Sequence, residues 1–344
     1  MRMRDYAIRR LLLMIPVIFG VLLITFTLSH VIGDPVAAYV TERTREEQIN
    51  LIIKQHHLDE PLHIQFFYYL SDLLHGDWGY SQTGHQPVIE CIADYFPATL
   101  ELSLVAIVLS LAMGIPFGII SAVKKDKPVD HVSRIYSLSG ISMPIFWFAL
   151  MMQYVFFFWF KTHGLPYLPS GFRAHWLTEI QHPLTRITGL YILDSLLTGN
   201  WPMLVDSIAH IIMPAFCLAY LQMALITRMM RSSMLEVMRQ DYIILARSKG
   251  LSERVVIYKH ALKNALIPTV TVTGLAFGAL LSGAVLTETI FSWPGIGRWA
   301  TSAILTSDFG GIMGFVLVVA FIYIVVNLLV DLLYGVLDPR IRYG

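Results

Sequence analysis

The sequence predicts an all-α, polytopic membrane protein with six transmembrane helices and helical external loops. Three observations predict it. Of the 344 residues, 56% are hydrophobic and only 14% charged, far from the balance of a soluble domain. Six apolar stretches, near 9–30, 98–123, 135–160, 206–228, 266–288 and 309–333, reach the roughly 20 residues that a helix needs to cross a bilayer. The basic residues are shared unevenly between the segments that join them. The formal charge of +1 is uninformative about partners, because in such a chain the distribution of charge carries the information.

Taken in order, MRMRDYAIRR followed by Leu11 to Leu28 has the charge order of a signal peptide. No small-residue cleavage site follows before VIGDPV, so the stretch is expected to be a retained first span. Residues 31–97 then offer a capping-box pattern at Thr44 and Glu47. They also offer a helical apolar stripe of Phe66, Phe67, Leu70, Leu73 and Leu74 that ends at Gly76 and is expected to pack on the bundle or the lipid interface. Pro16, Pro116, Pro144 and Pro214 fall inside spans, where they read as packing kinks. The segment 161–204, with LPSGFR and PLTRITGLYILDSLLTGNW, is too long for a plain connector. It suits a cover over a central pathway or a platform for an external partner.

Eighteen of the 25 Lys and Arg fall at the chain start, at 124–134, at 228–263 and at the C-terminus. The other seven are Arg43, Arg45, Lys54, Lys161, Arg173, Arg186 and Arg298 on the opposite face. By the positive-inside rule both termini and the 228–264 segment are expected in the cytoplasm, with the protein in the cell membrane. The chain divides into 1–96, a first transmembrane helix with an external helical segment; 97–334, the main transmembrane domain; and 335–344, a cytoplasmic tail.

The segment 229–264 is the basic, amphipathic part of this layout. Ser232 and Ser233 are placed to cap a helix with apolar positions at Leu235, Met238, Tyr242 and Leu245, and Gly250 sits where a left-handed stop is wanted. Ser252 is placed to cap a second helix, whose first turn carries Glu253 and whose last turn carries Lys259, His260 and Lys263, the order that complements a helix dipole. Two short helices joined by a glycine make a projection. It is either a lipid-facing anchor or a docking surface for a cytoplasmic partner, and docking is the preferred reading.

The residue types limit the chemistry. Ionisable groups deep in a bilayer are costly and mark proton or ion relays, and the spans lack them: Glu101, His210, Glu288 and Asp331 read as boundary residues. In the fifth span Thr269, Thr271, Thr273, Gly274, Gly278, Ser282 and Gly283 permit close helix packing; a mildly polar pathway is the second reading, with Thr273, Ser282 and Glu288 as its candidates. No G-x-x-x-x-G-K-[ST] occurs, so energy must reach the chain from elsewhere unless it is a passive channel or secondary carrier. Cys91 and Cys217 have no metal or redox spacing, the histidines lack the spacing of a metal site, and no nucleophile and base pair points to an enzyme.

The run DYIILARSKGLSERVVIYKHALKNALIP, Asp241 to Pro268, resembles the cytoplasmic loop of binding-protein-dependent ABC transporter permeases, with Ala246 and Gly250 on its two most characteristic positions. The resemblance covers nearly the whole chain and is to the dipeptide and oligopeptide branch, in particular its first permease subunit. It is carried by RRLLLMIPV, GDPV at Gly33, GDWG at Gly76, PATLELS at Pro97, SMPIFW at Ser142, RSSMLEV at Arg231, LTETIFSWPGIGRW at Leu286 and NLLVDLLYGVLDPRIR. It implies the six-helix permease architecture of a type I ABC importer, with Asp241, Ala246, Arg247, Lys249, Gly250, Leu251 and Ser252 at the ATPase-docking loop. It also implies a second, homologous permease, two ATPase subunits that hold ATP and Mg, an external substrate-binding protein, a peptide substrate, membrane lipid around the spans, and no nucleic acid. No cofactor is expected in this chain. Ile244 and Leu245 replace the first two positions of the family's Glu-Ala-Ala triplet, so the acidic contact is not carried over. SDFGGIMG also departs from the tyrosine and proline that relatives often place after that aspartate. Nickel permeases share most of these motifs; the insertion PLTRITGLYILDSLL favours peptide, with nickel or another small solute second.

Overall fold

The computed structural model describes residues 3–27, 30, 36, 40, 45–282 and 284–337. Thr44, Gly33, Gly283 and the tail 338–344, and the side chain of Asp331, lie outside the described residues. Helix α1, Met3–Thr27, comes first, followed by α2, Glu46–Gln55, and α3, Leu62–Leu74. The stripe on α3 does pack on the bundle: the Phe66 ring meets Phe19 and Phe26 of α1 edge-on at 5.8 and 5.1 Å. Two residue pairs, Tyr80–Ser81 (β1) and Gln86–Pro87 (β2), form a short antiparallel turn that leads into α4, Val88–Val123.

Helix α4 starts ten residues before the expected 98 and carries both Pro97 and Pro116 inside it, so the boundary expected at 96/97 falls within a helix. The expected third span is two helices. Helix α5, Pro128–Ser142, ends at Met143, which is extended (ψ 124°) ahead of Pro144, the conformation a following proline imposes. Pro144 is therefore a break. Helix α6, Ile145–Gln153, continues through a π-helical turn at Tyr154–Trp159 into α7, Phe160–Thr162. The long segment after it holds α8, Trp176–Gln181, and α9, Tyr191–Thr198.

The centre is α10, Trp201–Val237, which packs on α4, α5, α6, α9 and the later helix α13. It extends past both ends of the expected span 206–228 and is about 55 Å long at 1.5 Å per residue, so its basic end stands beyond the hydrocarbon layer. Ser232 and Ser233 lie inside it and cap nothing. Small residues let α4 approach closely: a Cβ on Gly118 would stand 2.5 Å from the Met230 Cβ and 2.9 Å from the Thr227 carbonyl oxygen. The remaining helices are α11, Asp241–Ser248; α12, Glu253–Val255, leading through a second π-turn at Val256–Ala261 into α13, Leu262–Leu281; α14, Val285–Ile290; α15, Ile296–Leu305; and α16, Phe309–Leu337.

Among the described residues five helices are long and apolar enough to cross a membrane: Val88–Val123, Ile145–Thr162, Trp201–Val237, Glu253–Leu281 and Phe309–Val330. The first expected span contributes a shorter apolar helix, Leu11–Thr27. The architecture is the all-α polytopic one the sequence predicts.

Candidate docking projection and buried polar contacts

Beyond α10 the chain turns at Met238–Gln240 and starts α11 with Asp241 in its first turn, where a carboxylate complements the helix dipole. The helix stops where expected. Gly250 is left-handed (φ +75°), its N–H donates to the Arg247 carbonyl at 2.9 Å, and the Leu251 N–H donates to the Ala246 carbonyl at 3.4 Å. These are the two bonds of a Schellman stop, which needs a residue free of Cβ strain at that position. Ser252 has the extended backbone of an N-cap, but its hydroxyl takes no bond from the next turn. Arg247 instead closes the turn, donating from Nε and Nη2 to the Glu253 carboxylate at 2.8 and 3.4 Å.

One face of this helix–glycine–helix unit is welded to the bundle. Ile243, Ala246, Val256 and Ile257 are buried against Ile119 and Ala122 of α4 and Met230 and Met234 of α10. The Asn264 Nδ2 donates to the Tyr242 hydroxyl at 2.7 Å, joining α11 to α13. Of the expected docking residues, Asp241, Arg247, Lys249, Gly250, Leu251 and Ser252 are exposed together on the other face, whereas Ala246 points inward. Ala246 is thus a packing residue, small enough to seat α11 on its neighbours. Ile244, Leu245 and Tyr258 were not on the expected docking set, yet each is more than half exposed beside those charges.

The pathway candidates separate. The Thr273 hydroxyl donates to the Thr269 carbonyl at 2.8 Å and the Ser282 hydroxyl to the Gly278 carbonyl at 2.9 Å, each within its own helix. Gly274 and Gly278 press on Val330 and Val326 of α16, which makes packing the observed role of this small-residue face. Glu288 does not close the fifth span, because the helix ends at Leu281 and α14 is a separate element. It is fully buried. Its Oε1 accepts from the Thr99 hydroxyl at 2.8 Å and its Oε2 from the Arg298 N–H at 2.9 Å, so from α14 it ties α4 to the first turn of α15. The Trp293 indole N–H, donating to the Ala98 carbonyl at 2.9 Å, secures the connection between α14 and α15 to α4.

Two buried ion pairs were not anticipated. Glu101 is no boundary residue: Arg173 donates to its Oε2 at 2.6 Å and the Ile192 N–H to its Oε1 at 2.7 Å, while the guanidinium lies 3.7 Å from the Tyr191 ring centre. The one acid within the apolar stretch 98–123 was the available signal, since burial demands a partner. This pair bolts the 161–204 segment onto α4. Asp194 braces that segment from within, accepting from the N–H groups of Ile187, Thr188 and Gly189 and from the Thr188 hydroxyl. Burial pushes the Asp194 carboxyl up, yet these donors together hold it below its ordinary value. His210 is likewise interior, with Nδ1 2.8 Å from the Asp206 carbonyl. At the far end of α10, Arg231 donates to both oxygens of the fully buried Asp130, which also accepts from the Ser121 hydroxyl at 2.5 Å and the Asp126 N–H at 3.0 Å. The Arg231 hydrogen bonds hold the Asp130 carboxyl well below the usual carboxylate range, against the opposing effect of burial.

Residues 114–343 match the family described as binding-protein-dependent transport system inner membrane component, and residues 3–103 match the N-terminal part of such membrane components. The chain is 45% identical to the dipeptide transport system permease protein DppB of Alkalihalophilus pseudofirmus over 99% of its own length and 100% of that protein. It is 43% identical to the protein of the same name from Escherichia coli K12, over 99% of each. With the oligopeptide transport system permease protein AppB of Bacillus subtilis it shares 34% over 99% of this chain and 100% of the relative. A glycine-stopped projection on a bundle of spans is thus matched by similarity along the whole chain, and the chain belongs to the family of binding-protein-dependent transport system inner membrane components.

Proposed function

We propose that the chain is the permease subunit of an ATP-driven importer and forms, with a second homologous permease, the membrane passage for short peptides delivered by an external binding protein. Two separate ATPase subunits, which hold ATP and Mg, drive it. The relatives named as dipeptide and oligopeptide permeases support the peptide substrate, and the absence of a phosphate-binding G-x-x-x-x-G-K-[ST] supports an engine on other chains.

The observation that carries the coupling is mechanical. The projection runs from α12 through the π-turn into α13 with no break before Leu281, while its inner face is packed on the ends of α4 and α10. Under this proposal a push on the exposed face at Arg247–Ser252 passes to three spans together, and the coupling requires that this unit have two arrangements. In this reading both termini and the projection are cytoplasmic, ATPase closure moves the projection, and the tilt of α13 opens the passage to the outside. Because the buried acid and base of the α4 end neutralise one another, the spans present few fixed charges to a cargo whose side chains vary. Deletion of the chain is expected to abolish uptake of short peptides and leave nickel-dependent growth unchanged; loss of nickel uptake with peptide uptake intact would overturn the peptide assignment.

A further inference from the structure

Between α5 and the basic end of α10 lies a cavity of about 320 Å³ that the proposed import cycle does not use. Its polar part is formed by Arg134, Arg228 and Arg231, with the hydroxyls of Ser133, Ser137 and Ser232, and no acidic side chain lines it. Behind it Asp130 is fully buried and spends its charge on Arg231, with Arg134 further off at 3.8 Å; Asp126 acts on Arg231 from a greater distance, and Arg134 Nη2 lies 2.7 Å from His131 Nδ1. Arg228 makes no ion pair or hydrogen bond with any described residue and is exposed. Three guanidinium groups against Asp130 and the more distant Asp126, itself paired with Lys125, leave the cavity positive, and Arg presents the planar fork that suits phosphate oxygens.

The rest of the lining changes character. Leu138 and Ile141 form an apolar wall, and Ile135, one turn before Leu138 and about 60° around α5 from it, is about two-thirds exposed beside that wall. A free anion has no use for that wall. An amphiphile with a negative head and a hydrocarbon tail matches both halves, with the head at the arginines and a chain along α5. Basic pockets between spanning helices hold anionic lipid headgroups by this division of labour.

We infer that this cavity is a binding site for an anionic phospholipid, with Arg134 and Arg228 on the headgroup phosphate and the Leu138–Ile141 wall on an acyl chain. Arg231 is held by Asp130 and serves as the floor. The inference is independent of which solute is transported.

The test uses the full chain, purified and delipidated, alone and in complex with whatever subunits co-purify. Thermal unfolding is followed while phosphatidylglycerol or phosphatidylcholine with identical acyl chains is added back, and native mass spectrometry counts the lipid retained. Phosphatidylglycerol should raise the midpoint by several degrees more than phosphatidylcholine and remain bound at one tight site per chain. Replacing Arg134→Gln and Arg228→Gln together should weaken that site about tenfold and erase the preference, with the phosphatidylcholine response unchanged. Both side chains are exposed, so folding should survive. Equal stabilisation by the two lipids, or an undiminished preference in the double variant, overturns the inference. So does an equal shift with inorganic phosphate alone, which would make the cavity a plain anion site. Loss of the preference in the complex but not in the isolated chain also overturns it, because a protein partner then covers the cavity.

Discussion

Arg231 holds both carboxylate oxygens of Asp130 across 101 residues of sequence, with Nε 2.7 Å from Oδ1 and Nη2 2.8 Å from Oδ2. The pair fixes the start of α5 to the shaft of α10 a few residues before the projection begins. A two-point, charge-assisted contact between two otherwise separate helices resists rotation as well as separation.

Asp130→Asn should therefore lower the stability of the purified chain by about 2–4 kcal/mol, since it leaves a half-buried guanidinium without its partner. The direction of the Asp130 shift sets the pH window. The contribution is full above the ordinary carboxyl value of 3.8 and is lost as the pH falls below it toward the lower folded-state value. The gap between wild type and Asp130→Asn, read by thermal unfolding, should be constant from pH 5 to 7 and narrow only below about 4. A gap that closes by pH 6 would contradict the pairing.

Glu101→Gln leaves Arg173 buried and uncompensated, and about 3–5 kcal/mol is expected to be lost. The double change Glu101→Gln with Arg173→Gln should recover part of that loss. A double variant that loses the sum of the two single losses would show that the pair contributes no coupling. Protease nicking of the 161–204 segment should rise in the single variant first.

The α4–α10 contact predicts a size limit at Gly118. Gly118→Val should cost at least 1–3 kcal/mol through overpacking against Met230, whereas Gly20→Val on α1, where a Cβ would meet nothing within 4 Å, should be close to neutral. Comparable melting points for the two variants would refute the close approach.

Opposite faces are expected for the projection and the α8–α9 segment, because the 37 residues of α10 separate them. With buried Cys91 and Cys217 removed, single cysteines at Ser252 and at Glu179 should react with an impermeant reagent from opposite sides of the membrane. Labelling of both from the same side would overturn the arrangement.

The parts of this layout written in local signals were legible in the sequence. Apolar length gave the spans, and Gly250 gave the left-handed stop, because both are properties of neighbouring residues. Helix ends were read poorly where polarity changes but helicity does not: Arg228 to Val237 is polar enough to look like the start of a separate surface helix running on to Leu245, yet α10 continues through it, Ser232 and Ser233 remain interior, and the break comes at 238–240. Pro144 and Glu288 were misread for the opposite reason, since apolar runs hid a break before α6 and another after Leu281. Ala246 was placed on the docking face from resemblance, although burial fixes it as an inward packing residue. The Asp130–Arg231 and Glu101–Arg173 pairs join residues far apart in sequence, and only the folded chain brings them together.

In the proposed coupling, the exposed face around Gly250 receives the ATPases and passes their motion to α13. A Cβ at Gly250 meets nothing within 4 Å in this chain, so a side chain there costs only about 1 kcal/mol of left-handed backbone strain. The direct measurement is Gly250→Asp, assayed on one membrane preparation for insertion, retention of the partner permease, co-purification of the ATPases and peptide uptake. Near-normal insertion and permease pairing are expected, with ATPase retention and uptake reduced at least tenfold. Full uptake with normal ATPase retention would contradict it and leave the projection as a lipid-facing anchor held by Lys249, Arg254, Lys259 and Lys263.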